Sequence, residues 1–149
     1  SNELIKFTTV ASAVNEITVS NNSTGNPAII SATGGDTNIN LRLDAKGTGS
    51  VRMSKVAFSS TEITANGAAS ANTSYITCNK ATALAVTLAN GTTIGELKIF
   101  TNKGAGIATI TPASFAQGTT VALDQYDAAT LVWDGTNWYV SGHYGATIA

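Results

Sequence analysis

The side chains best suited to chemistry are few: one histidine, one cysteine and nine carboxylates in 149 residues. Any Ser/His/Asp or Cys/His arrangement must use His143, which lies in Ser141-Gly142-His143-Tyr144-Gly145. Nucleophilic catalysis needs a base held by oriented partners, and flanking glycines supply no rigid support. His143 is therefore read as a surface or interface side chain. Cys78 has no second cysteine to pair with and is read as a small apolar residue on a strand. One His and one Cys do not build a structural zinc site within a single chain. A ring of three His143 side chains on a threefold axis is the metal arrangement that stays open.

The acids give no better start. Asp124, Asp127 and Asp134 lack the dense oxygen-ligand spacing of a calcium loop and read as turn formers. Glycoside cleavage needs two carboxylates a few ångströms apart in a cleft, and spacing singles out no pair. Gly47 and Gly49, like Gly104 and Gly106, do not open a helix after a strand as a phosphate loop would, and read as loop or bulge glycines. No catalytic residue, cofactor or metal is expected, and the chain is read as non-enzymatic.

The aromatic cluster Tyr126, Trp133, Trp138, Tyr139 and Tyr144 is the best candidate for recognition. Exposed rings at Trp133, Trp138, Tyr139 and Tyr144 would stack on sugars, since their amphipathic faces suit partly wet contacts. The competing expectation, preferred here, packs Trp133 and Trp138 across a hairpin inside a sandwich.

The elements that must position these residues are strands. Apolar residues recur with period two almost throughout, and no helical-length stretch carries the i, i+3, i+4, i+7 pattern. An all-β fold follows. Asn38-Ile39-Asn40-Leu41-Arg42-Leu43-Asp44 alternates strictly, and shorter segments at 16–20, 28–32 and 50–54 flank it. With Ile17, Ile29, Leu41 and Val51 as markers, the spacing is 12, 12 and 10 residues, a weak repeat of strand plus turn. Gly, Asn, Asp and Pro in the gaps supply the turn geometry. Ordering a residue costs ~1 to 2 kcal/mol, while burying a Val, Leu or Ile returns ~1.5 to 3 kcal/mol, so residues 1–56 are expected not to fold alone. Copies packed around an axis would supply the missing apolar area, with Ile17, Ile29, Leu41 and Val51 as trimer or attachment residues.

Residues 57–71 are small and polar and read as a connection holding a short strand at 62–64. Residues 72–149 are richer in large apolar residues. Leu84, Val86 and Leu88 lead to a turn at Asn90-Gly91, and Leu97 and Ile99 lead to one at Asn102-Lys103-Gly104. Strands at 107–111 and 119–123 follow, and Thr130-Leu131-Val132-Trp133 faces Trp138-Tyr139-Val140 across Asp134-Gly135-Thr136-Asn137. This region is expected to form an antiparallel β-sandwich or jelly roll with its own core.

Only 11% of residues are charged, against roughly 25% in an ordinary domain, and the net charge is −1. Such a chain has no basic footprint for nucleic acid and no apolar run of the ~18 to 20 residues that span a bilayer. Nucleic acid and membrane are not expected partners. Low charge beside 43% hydrophobic residues points to surface covered by partner subunits.

One resemblance is specific. Gly25-Asn26-Pro27-Ala28-Ile29-Ile30-Ser31-Ala32-Thr33-Gly34-Gly35-Asp36-Thr37-Asn38-Ile39-Asn40-Leu41, followed by Lys46-Gly47-Thr48-Gly49-Ser50-Val51, resembles a module recurrent in virion structural proteins of tailed phages. Thr87-Leu88-Ala89-Asn90-Gly91, Gly95-Glu96-Leu97-Lys98 and Leu131-Val132-Trp133-Asp134-Gly135-Thr136-Asn137-Trp138 are similar to a β module found beside it. The resemblance implies a homotrimeric, non-enzymatic protein on the virion surface, contacting the major capsid protein or another virion protein. It carries over no catalytic residue. Length, on the expectation that the chain is complete, leans toward a capsid decoration (cement) protein or short head fibre. A fibre tip recognising host glycans is the alternative. Whether Ser1 follows methionine removal or cleavage of a longer product stays open.

Overall fold

The computed structural model describes residues 4–149. All its regular structure is β, and it divides into two compact units, Ser1–Ser54 and Lys55–Ala149. Residues 57–71, expected to be a connection with one short strand, carry two strands of the second unit.

The first unit contains one antiparallel hairpin, β1 (Asn15–Ser20) with β2 (Ile29–Gly34). Its register pairs Ile17 with Ala32 and Val19 with Ile30, which puts an apolar row on one face. The opposite face pairs Glu16 with Thr33 and Thr18 with Ser31, and the hydroxyls of Thr18 and Thr33 lie 2.7 Å apart. Ile29 falls on this polar face, so Ile30 takes the place the strand repeat assigned to Ile29. Gly34 is required where the hairpin ends: at φ 147° its added Cβ would sit 2.3 Å from the Val14 carbonyl. The alternating segments expected at 38–44 and 50–54 join no ladder. No described residue of this unit is buried.

The second unit is a sandwich of two five-stranded sheets. The chain first alternates between them. β3 (Ser60–Ile63), β5 (Tyr75–Cys78) and β7 (Leu97–Asn102) lie parallel in one sheet, and β4 (Gly67–Ala68), β6 (Leu84–Leu88) and β8 (Ala108–Pro112) lie parallel in the other. Thus β3–β4, β5–β6 and β7–β8 are three stacked coils of chain. Antiparallel strands then close the stack: β9 (Val121–Leu123) and β12 (Thr147–Ile148) extend the β8 sheet, while β10 (Ala128–Trp133) and β11 (Trp138–Tyr144) extend the β7 sheet. The expected sandwich is present, but its expected antiparallel pairing is corrected to a mixture of parallel and antiparallel ladders. Period-two alternation is the same in both ladder types, so Asn90-Gly91, read as a turn of hairpin kind, instead carries the chain from one sheet to the other.

Stacked corners explain the two closely spaced glycines. The amide of Gly104 reaches the Cys78 carbonyl, and that of Gly106 donates to the Lys80 carbonyl at 3.0 Å. A Cβ at Gly104 would stand 2.3 Å from Lys80 backbone, and one at Gly106 would stand 2.0 Å from the Thr82 carbonyl. Successive coils approach so closely that only glycine fits.

The inner faces of both sheets interdigitate. Ile76, Cys78, Phe100, Leu131 and Trp138 from one sheet meet Leu84, Val86, Ile110, Val121 and Leu123 from the other. At ~1.5 to 3 kcal/mol per fully buried large side chain, this core supplies the stability that the first unit lacks.

Candidate functional site

Among the residues with chemical potential, the structure keeps the groups apart. No set of three His, Cys, Asp or Glu side chains could hold a metal ion among the described residues. His143 is exposed on β11. Cys78 lies within the core, where burial pushes its thiol up to about 11. The aspartates shape turns. Asp134 Oδ1 accepts the amides of Thr136 and Asn137, both at 2.7 Å, and these bonds lower its pKa. Asp127 Oδ2 accepts the Asp124 amide at 3.0 Å. Glu62 is held below its usual range, first by the Lys103 ammonium and then by Asn79.

The aromatic cluster divides in two. Trp133 is 5% exposed and Trp138 fully buried, so both indoles leave the set of candidate recognition residues. They form the inward pair of the β10–β11 hairpin, and the Trp138 Nε1 donates to the Ala89 carbonyl at 2.9 Å. Tyr139 and Tyr144 remain at the surface, 41% and 75% exposed, with Tyr126 beside them in kind. Tyr139 ends a cross-strand row with Val132 and Leu97 on the outward face of its sheet. The next row holds Thr130, Ile99 and Tyr75. Neither row carries a charge.

On β7 the side turned to the core is the one that carries a lysine and an asparagine. Lys98, Phe100 and Asn102 point inward, while Leu97 and Ile99 point out. Lys98 is buried because its ammonium donates to the carbonyls of Ser70 (3.0 Å), Ala71 (3.0 Å) and Thr73 (2.8 Å), with Glu96 3.5 Å away. Asn102 is equally satisfied, donating to Gly106 and Leu123 carbonyls at 2.8 and 2.9 Å and accepting from the Gly104 amide at 3.0 Å. Both are fasteners of the sandwich: among the described residues every buried side-chain nitrogen or oxygen finds a partner.

The largest unexplained surface lies in the first unit. Thirteen large apolar side chains from Leu4 to Met53, Ile17, Ile29, Leu41 and Val51 among them, are each at least 41% exposed. Ile39 is half-buried. Singly exposed apolar residues are ordinary, but this many in one unit make it the candidate for an interaction surface. Phe7, Val10 and Val14 belong to this set although they follow no alternation, whereas Val19, Ile30 and Leu43 stand in the same period-two segments as the markers and were legible there. No helix is long and apolar enough to cross a membrane among the described residues.

Fold and surface together define an all-β protein with a sandwich that holds a buried core and a hairpin unit whose large apolar side chains are exposed. No protein-family model matches the chain, and no curated protein sequence matches it.

Proposed function

We propose that this chain is a non-enzymatic structural protein of a tailed-phage particle, a homotrimer that decorates or cements the capsid or forms a short head fibre. The observation that carries the reading is the first unit, where thirteen exposed large apolar side chains accompany a hairpin without a core. An isolated two-stranded hairpin is marginal in water, so the unit needs partners. The resemblance of residues 25–41 and 46–51 to the phage virion module supplies the class of partner: copies of itself, and the major capsid protein or another virion protein. Apolar burial is non-directional and scales with area, which suits packing around a symmetry axis.

Two measurements test it. The purified protein sediments as a trimer at micromolar concentration; a monomer removes the reading. Particles lacking the protein lose resistance to heat or osmotic shock; unchanged resistance removes the cement role.

A second reading, a tip that binds host-surface glycans, is favoured by the exposed Tyr139 and Tyr144 on β11. Labelled protein distinguishes the two, since decoration gives binding to capsids and a tip gives binding to host cells.

A further inference from the structure

We propose that residues 38–44 become a β-strand only in the assembled protein, by pairing their backbone with a second copy of this chain. The inference rests on the homotrimer reading and deepens it by naming a segment that the copies share.

Strict alternation places Ile39, Leu41 and Leu43 on one side and Asn38, Asn40, Arg42 and Asp44 on the other. Such a sequence fits a pleated ladder with one face covered. Yet from Thr37 to Ala45 no backbone amide or carbonyl hydrogen-bonds to another described residue. The side chains of Leu41 and Leu43 are exposed, and Arg42 meets only Asp44, at 2.8 Å in water. Alternation, apolar face and open backbone coincide in one segment, as they do at a strand without its neighbour.

The chain's own hairpin does not supply that neighbour. To pair with β2, the chain would have to reverse just after Gly34. Instead the Gly35 amide donates to the Val14 carbonyl at 2.9 Å, and Asn15 Nδ2 donates to Asp36 Oδ2 at 2.6 Å. These bonds hold residues 35–36 against the start of β1, where the chain bends. Residues 38–44 pair with neither β1 nor β2, and the outer edges of β1 and β2 pair with no other described strand, which leaves them for a strand from elsewhere.

The area argues for a copy as occupant. A large side chain offers on the order of 100 Å² of apolar surface, so thirteen of them exceed the roughly 800 Å² per partner that a stable interface buries. The segment's one acid and one base leave it with no net charge to oppose its own copy.

Hydrogen exchange on the full-length protein, with assembly followed by sedimentation, tests this. In the trimer, amides of residues 38–44 should exchange roughly tenfold or more slowly than in an unstructured chain, and the protection should vanish on dilution to the monomer. Adjacent amides point to opposite edges of a strand, so at least one of Leu41→Pro and Arg42→Pro must remove a ladder bond and weaken assembly. Unchanged fluorescence of the buried Trp133 and Trp138 shows that the sandwich of each variant is folded. A trimer whose residues 38–44 exchange like coil, or that forms normally in both proline variants, overturns the shared strand and leaves the homotrimer standing. Protection that persists in the diluted monomer overturns it too, because the partner strand is then internal. A wild-type protein that never assembles overturns this proposal and the homotrimer together.

Discussion

Trp133 and Trp138 meet across the β10–β11 hairpin with ring centroids 5.4 Å apart and planes inclined by 54°. Tilted aromatic pairs gain roughly 0.5 to 1.5 kcal/mol beyond their burial. Trp133 also covers Gly91, where an added Cβ would lie 2.4 Å from the indole Cγ. The two rings thus join the hairpin to the turn after β6.

Trp138→Ala should destabilise the sandwich by about 3 to 5 kcal/mol, the usual cost of emptying a large buried aromatic site. Urea unfolding read by circular dichroism gives the value. Added polysaccharide should leave the wild-type tryptophan fluorescence unshifted; a shift on addition would mean that ligand reaches the indoles.

Lys98→Met keeps the length of the side chain and removes three charge-assisted hydrogen bonds to Ser70, Ala71 and Thr73. The carbonyls lose their donor, at an expected cost of about 2 to 4 kcal/mol. Faster exchange of the Tyr75 and Ile76 amides should accompany it, because the ammonium fixes the loop that leads into β5. A loss below about 0.5 kcal/mol would show that water replaces the ammonium freely.

Acid should weaken the fold through Glu62 and Asp134, whose pKa values are lowered by the Lys103 hydrogen bond and by the amides of Asn137 and Thr136. A group with a depressed folded pKa binds fewer protons folded than unfolded, so its stabilisation is present above the ordinary carboxylate pKa and is lost as pH falls through the folded value. Both groups are solvent-exposed, so the effect should be small and shrink with salt. Melting temperature followed from about pH 6 to pH 2 should decline less steeply in Glu62→Gln than in the wild type. Parallel curves would remove the Glu62–Lys103 pair from the account.

Alkali acts through Cys78 with the opposite sign. Burial raises its thiol to about 11 from the 9.0 of a free thiol, so the folded chain keeps a proton that the unfolded chain releases. Stability is whole below about pH 9 and falls as pH rises through 11, by on the order of 2 kcal/mol from this group. Cys78→Ala should show a shallower alkaline decline. The wild-type thiol should react with a disulfide reagent only at the rate of unfolding; immediate reaction would contradict its burial.

Period-two alternation and turn residues were legible in the sequence, because each depends on local spacing. They determined an all-β chain and the β10–β11 hairpin with its inward tryptophans. Three features were decided only by tertiary structure. Alternation fits parallel and antiparallel ladders alike, so the stacking of β3, β5 and β7 depended on long-range pairing, which irregular spacing of the coils concealed. Alternation also names two faces without saying which is buried: β7 turns Lys98 and Asn102 inward because carbonyls from distant loops satisfy them, and leaves Leu97 and Ile99 outside. The third is Asn38-Ile39-Asn40-Leu41-Arg42-Leu43-Asp44, a strand in its pattern and unpaired in the single chain, since a β-strand takes its hydrogen bonds from a neighbour that its own sequence does not contain.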